Sequence, residues 1–281
     1  MIFRKLFGAA RGTGGDAQPG SEFPLEMEDK LTRLHSRVPV REHLEILHGG
    51  LRIGAESFTE VYFRCLAQTG TAVTPFNIFQ RFQTRHDLLR YFLATLRVPG
   101  ARVECGAYRG ATALLLCHAW RSVDPDFRGA GFYLVDSFTG TSESTERDYI
   151  AVRAKDGTVR REVFFPAGKS DVSPEMVRGF MSDFPEAGIR CGWAPAVFDT
   201  LGENRYAFVH VDLTLFEATL AALEHFYPKL AAGGVILCDG SPFCPGVDQA
   251  VDRFSGAHDV AYATLGHRQY VFMKPSAPPA E

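Results

Sequence analysis

Arg102-Val-Glu-Cys-Gly-Ala-Tyr-Arg-Gly110, directly after Pro99-Gly100, is the stretch whose reading decides the fold. A short apolar run (Ala101–Cys105) ends beside an acid and a Gly-x-x-x-Gly turn. Ala111–Arg121 then continues with apolar residues at helical spacing, so the unit reads strand, tight turn, helix. The same alternation recurs downstream. Gly131–Val135, Tyr206–Val211 and Gly234–Cys238 read as strands, while Leu215–Leu230 and Val247–Phe254 read as helices. Strands alternating with helices build right-handed crossovers and a mostly parallel sheet. Asp259–Leu265 and Arg268–Lys274, separated by Gly266-His267, read as a hairpin that adds an antiparallel edge. The fold class is α/β.

Upstream of Pro99 the chain reads as helical. Pro24 to Leu47 carries a helical apolar pattern broken at Pro39, Ser57-Phe-Thr-Glu60 has the form of a capping box, and Arg85 to Leu96 places Leu88, Leu89, Phe92 and Leu96 on one face. The expected organisation is a flexible tail over 1–23, a helical extension over 24–98 serving as lid or oligomerisation surface, and a principal domain over 99–276. Within that domain, 139–173 is charged and aperiodic, the pattern of a lid, a binding loop or a disordered insertion. The basic, apolar start (Met1-Ile-Phe-Arg-Lys) lacks the continuous apolar core of a signal peptide.

The chain has 281 residues, 46% hydrophobic and 22% charged, enough to bury a large core. A net charge of −3 excludes the basic surplus that marks a nucleic-acid binder. No apolar run approaches the roughly 18 residues of a membrane span. Six cysteines without a C-x-x-C pair are expected as buried small hydrophobes in a reducing compartment. The expectation is a cytoplasmic protein with no nucleic-acid or membrane partner.

Four acids end strands. Glu104 precedes the glycine turn, where it would repel a pyrophosphate but suits a ligand bearing an amino group; the bland alternative is a solvated glutamate on a tight turn. Asp136, in Tyr133-Leu-Val-Asp136-Ser137-Phe138, is placed to accept hydrogen bonds from both hydroxyls of a ribose, or else only starts a turn. Together these two signals favour a nucleoside ligand without a bridging pyrophosphate, and S-adenosylmethionine fits that description. Asp212 and Asp239 end two further strands and converge if those strands are neighbours. Converging carboxylates share a proton or hold a cation such as magnesium, unless both are simple turn acids. His210 is expected in the core, facing away from Asp212. His86 and His267 are expected on the surface.

Val103-Glu-Cys-Gly-Ala-Tyr-Arg-Gly-Ala-Thr-Ala113, Asp136-Ser-Phe138, His210-Val-Asp-Leu-Thr-Leu-Phe-Glu-Ala-Thr219, Phe226-Tyr-Pro-Lys-Leu-Ala-Ala-Gly-Gly234 and Gly246-Val-Asp-Gln-Ala-Val-Asp-Arg-Phe254 resemble the macrocin-type O-methyltransferases. The resemblance runs from about Phe79 to Lys274. It implies a Rossmann-like class I methyltransferase sheet acting on a hydroxyl of a small molecule, typically a natural-product sugar, and a homo-oligomer, for which the helices from Pro24 to Leu66 are the expected contact. It further implies cofactor contacts at Glu104, Gly106, Ala107, Tyr108, Gly110 and Thr112 and at Asp136, Ser137 and Phe138. Gly192 and Trp193 would lie against the adenine, and Asp212 beside the methionine end; Trp193 reads equally as a core residue. Asp212 and Asp239 would be the catalytic acids and the metal ligands.

The family commonly shows a third acid after the second of these, and Gly240 stands there instead. Ser241 or water is then needed to complete a magnesium shell. Thr214 also replaces a family acid. These departures leave three readings open: a magnesium-assisted O-methyltransferase, a metal-independent O- or N-methyltransferase, and a cofactor-binding homologue without turnover. A nicotinamide oxidoreductase is disfavoured by the absence of Gly-x-Gly-x-x-Gly and of a Tyr-x-x-x-Lys pair.

Overall fold

The computed structural model describes residues 44, 50–74, 80–153, 157–165, 167–168, 170–202 and 204–275. The expected tail over 1–23 and all of the Pro24–Leu47 helix except Leu44 lie outside them.

Seven strands form the central sheet. In chain order they are β3 (Ala101–Cys105), β4 (Phe132–Asp136), β7 (Gly188–Cys191), β8 (Tyr206–Val211), β9 (Leu230–Asp239), β10 (Ala263–Thr264) and β11 (Gln269–Met273). Their spatial order is β10-β11-β9-β8-β3-β4-β7. The five strands from β9 to β7 are mutually parallel, and β11 runs antiparallel to β9 and to β10. The chain moves outward from β3 to β4 and β7, then returns to start β8 on the other side of β3. That reversal opens a crevice beyond the carboxyl ends of β3 and β8.

Strand alternation sorts the core into two layers. Phe208, Leu134 and Leu237 face α1 (Phe58–Gln68), α2 (Phe82–Ala94) and α3 (Ala111–Val123). Val103, Val209, Val211, Ile236 and Phe272 face α5 (Phe216–Phe226) and α6 (Pro245–His258). Each such side chain, withdrawn from water, contributes about 1.5–3 kcal/mol before entropy is counted. The capping box on α1 forms as expected, with Glu60 N–H donating to Ser57 Oγ and Ser57 N–H donating to Glu60 Oε2.

Several expectations are corrected. The front is not wholly helical, because Arg52–Ile53 (β1) and Glu56–Ser57 (β2) pair as a short hairpin before α1. α2 starts at Phe82, with Gln80 and Arg81 already helical, rather than at Arg85. His86 is half-buried, its ring edge-on to Phe58 at 5.3 Å. Cys191 is exposed, since it ends an edge strand, while the other five cysteines are buried. The insertion is not aperiodic throughout: Ile150–Arg153 (β5) and Val159–Glu162 (β6) form an antiparallel hairpin. A seven-residue helix follows it, α4 (Pro174–Phe180), capped by Ser173. No helix of the described residues is long and apolar enough to cross a membrane.

Candidate active site

The glycine turn after β3 is shaped by close approach. Gly106 adopts φ +87°, and a Cβ there would run into the carbonyl oxygen of Asp212. Gly110, at φ +81°, opens α3. The turn floors a cavity of about 330 Å³ lined by Glu104, Gly106, Ala107, Tyr108, Thr112 and Asp212, together with Tyr62, Arg81 and Arg85. Most residues expected at the methionine end of a cofactor thus share one space.

Glu104 is 1% exposed. Its Oε1 lies 3.2 Å from His210 Nδ1, while Oε2 is buried with no hydrogen-bond partner among the described residues. Asp136 ends β4 and accepts the backbone N–H groups of Tyr108 and Phe138, each at 2.8 Å. Burial raises its pKa against the pull of those amides. Gly192 N–H donates to the Asp136 carbonyl at 2.9 Å, which holds the backbone just before Trp193 beside the end of β4. Trp193 is 45% exposed, so the core alternative for it is overturned. Ser137 turns its hydroxyl back onto the Gly140 carbonyl at 2.8 Å.

β8 and β9 are neighbours, so Asp212 and Asp239 do converge. Two arginines lie between them. Arg81 Nη1 is 2.5 Å from Asp212 Oδ2 and 3.1 Å from Asp239 Oδ2. Arg85 reaches the same two oxygens, at 2.8 Å and 2.5 Å. Gln269 Nε2 donates to Asp239 Oδ1 at 2.7 Å. Burial alone would raise the Asp239 pKa, but Arg85, His210 and Arg81 hold it well below the usual carboxylate range.

His210 requires a correction. Residues two apart on a strand share a face, so His210 points to the same side as Asp212, and its Nε2 lies 3.4 Å from Asp239 Oδ2. Burial pulls its pKa down, yet the Asp239 and Glu104 carboxylates raise it overall. His267 is exposed, as expected.

A second, smaller space lies across the acid pair, lined by Phe164, Phe165, Thr214, Asp239, Gly240, Ser241 and Cys244. Arg81 and Asp212 line both spaces. Phe164 belongs to the insertion and stacks on Phe243, with centroids 4.7 Å apart and planes 17° from parallel.

His210, Asp212 and Asp239 offer atoms within 4.8 Å of one another, a spacing suited to an ion. The donor set does not fit magnesium. Both Oδ2 atoms already accept from two guanidiniums, and magnesium demands a near-octahedral shell of oxygens. The third position is closed as well, because a Cβ on Gly240 would strike the Arg268 carbonyl.

Comparison with known proteins agrees with this architecture. The sequence profile of the Macrocin-O-methyltransferase (TylF) family matches residues 79–266. Demethyldecarbamoylnovobiocin O-methyltransferase of Streptomyces niveus is 29% identical over 167 residues, 58% of this chain and 61% of the relative. Mycinamicin III 3''-O-methyltransferase of Micromonospora griseorubida is 26% identical over 184 residues, 64% of this chain and 70% of the relative. The chain therefore spans less than two thirds of the novobiocin relative's length. Among solved structures, the O-methyltransferase NovP superposes with a TM-score of 0.54 at 19% identity, covering 88% of this chain and 99% of that one. The calicheamicin methyltransferase CalS11 gives 0.57 at 19%, covering 93% and 99%. These likenesses establish the methyltransferase fold.

Proposed function

We propose that this chain, which belongs to the macrocin O-methyltransferase (TylF) family, transfers a methyl group from S-adenosylmethionine to a hydroxyl of a small molecule, a natural-product sugar being the favoured class. One observation carries the reading. Glu104, whose Oε2 is buried and orphaned, is among the residues lining a cavity floored by a glycine turn too tight for a side chain, and Asp136 accepts the Tyr108 N–H of that turn. A buried carboxylate oxygen without a donor calls for a cationic group on the ligand, and the α-ammonium of the cofactor is such a group.

Bound S-adenosylmethionine supplies a methyl group on a good leaving group, so the chain's own task is to orient an acceptor and take its proton. In this reading Glu104 receives the ammonium, Asp136 the ribose hydroxyls, and Trp193 flanks the base, whereas Phe138, expected beside it, is buried in the core at 6% exposure. Thr112 lines the cavity and has a second part. Its hydroxyl accepts from Arg85 Nε at 2.7 Å, so it steadies the guanidinium. Asp239 has both oxygens engaged, whereas no hydrogen bond reaches Asp212 Oδ1 among the described residues. Asp212 is therefore the proposed base. Asp212 Oδ1 would take the proton of the acceptor hydroxyl, while the bound cofactor would supply the methyl group and its sulfur would leave as a neutral thioether. The Phe164–Phe243 stack offers the acceptor an apolar face. We further propose a cytoplasmic homo-oligomer, whose expected contact helices fall mainly outside the described residues.

Calorimetry with S-adenosylhomocysteine and a labelled-methyl assay across glycosylated acceptors test the reading. Stoichiometric cofactor binding with label on a hydroxyl is expected. No cofactor binding by folded protein would overturn it.

A further inference from the structure

The mismatch between this donor set and a divalent cation leads further, resting on the methyl-transfer reading. Arg81 and Arg85 are four residues apart at the start of α2, so their side chains project from one helical face. That face packs over the ends of β8 and β9. Both guanidiniums bridge both carboxylates through the same pair of oxygens. Neither is a casual surface contact. The side chains of Arg85 and Asp239 are each 5% exposed, and Arg81 and Asp212 are 23% and 13% exposed. Arg85 is fixed along its length by Thr112, and Asp239 is fixed on its other side by Gln269.

Charge decides between occupants. Two buried carboxylates without a partner are costly, and one divalent ion or two guanidiniums would each offset them. Here the two guanidiniums already do so. A magnesium ion added to these four groups would leave two surplus positive charges among them, and would have to displace donors from both Oδ2 atoms. We infer that Arg81 and Arg85 stand in the place of the divalent cation, so that methyl transfer by this chain is independent of bound metal. Arg85 is a positioning residue that holds Asp212 and Asp239 together. Arg81 lines both spaces and turns the free oxygen of Asp212 toward the acceptor. Metal activation is thereby given up, and proton removal falls to the orientation of Asp212 alone.

The test reads metal binding directly, so it is informative even if the acceptor class, or the reaction itself, proves different. Chelator-treated wild-type protein is titrated with Mn²⁺ and the free-ion signal followed by electron paramagnetic resonance. The expected result is no stoichiometric binding up to millimolar Mn²⁺, with turnover unchanged by chelator or by added Mg²⁺. Binding of one equivalent that disappears in Asp212→Asn would overturn the inference. Arg81→Met is the companion variant, since its side chain is partly exposed and its loss leaves Arg85 on both acids. It should lower kcat at least tenfold, with partial return in Arg81→Lys and none on adding Mg²⁺. Full turnover by Arg81→Met would equally overturn it.

Discussion

Asp148 Oδ1 accepts the backbone N–H of Phe216 at 2.8 Å, so a residue of the charged insertion closes the first turn of the helix that follows Asp212. The helix has no side-chain cap of its own, its N-cap being Leu215. Asp148 also accepts from the Thr145 N–H at 2.7 Å and is 3% exposed, while Arg147 stacks its guanidinium 4.4 Å from the Phe216 ring. The insertion is thus anchored at its root to the helix that follows the proposed base. Asp148→Ala should cost about 1–3 kcal/mol in urea unfolding, through a lost acceptor for two amides and a lost charge at a helix N-terminus. Amide exchange at Phe216 should accelerate; an unchanged rate there would separate the insertion from α5.

Asp136→Ala should weaken S-adenosylhomocysteine binding by tenfold or more, because a charge-assisted acceptor contributes about 1.5–3 kcal/mol. Titration calorimetry on folded protein measures it. Affinity equal to wild type would remove Asp136 from the ribose role.

Gly106→Ala places a Cβ against the Asp212 carbonyl at a backbone angle of φ +87°. Strain of about 1–3 kcal/mol is expected, and more where the strand ends cannot part. The melting temperature should fall and cofactor affinity with it. A variant as stable as wild type would show that the turn yields without cost.

The parallel strands were readable because their cause is local. Ala101–Cys105 and Tyr206–Val211 are apolar runs with turn residues or acids at their ends, and the structure gives them those same limits. β7 was not readable. Gly188-Ile-Arg-Cys191 is a four-residue edge strand with one large apolar side chain, too weak a pattern to separate from loop. Glu104, Asp136, Asp212 and Asp239 were legible because acids at strand ends have a fixed place in such a sheet. Arg81 and Arg85 were not. Charged residues at a helix start read as solvated, and their partners lie 127 to 158 residues away in the chain. Only packing α2 onto β8 and β9 makes them part of the site.

His118 gives the pH dependence a clear sign. It lies half-buried on α3, accepting from Arg121 at Nδ1 across 3.2 Å. Burial, then the Arg121 and Arg64 charges, lower its pKa from 6.5 to about 4. The unfolded chain therefore binds a proton there between those values while the folded chain does not. Stability should decline as pH falls from 6.5 toward 4, by up to about 3 kcal/mol from this residue. His118→Gln should flatten that decline in denaturant titrations at pH 7 and pH 4.5, and equal slopes in both proteins would assign the loss elsewhere.

The N–H of Gly240 donates to the Arg268 carbonyl at 2.8 Å, and a β carbon at 240 has nowhere to go but into that oxygen and the Tyr270 ring. An acid at 240 therefore cannot arrive by one substitution while the turn before β11 stays where it is. Nor would it find an ion to bind while Arg81 and Arg85 remain. The passage between this arrangement and a three-acid one requires linked changes in three separate segments of the chain. Each taken singly meets either the Arg268 carbonyl or the two guanidiniums, so the two kinds of site are neighbours in shape but separated by several linked substitutions.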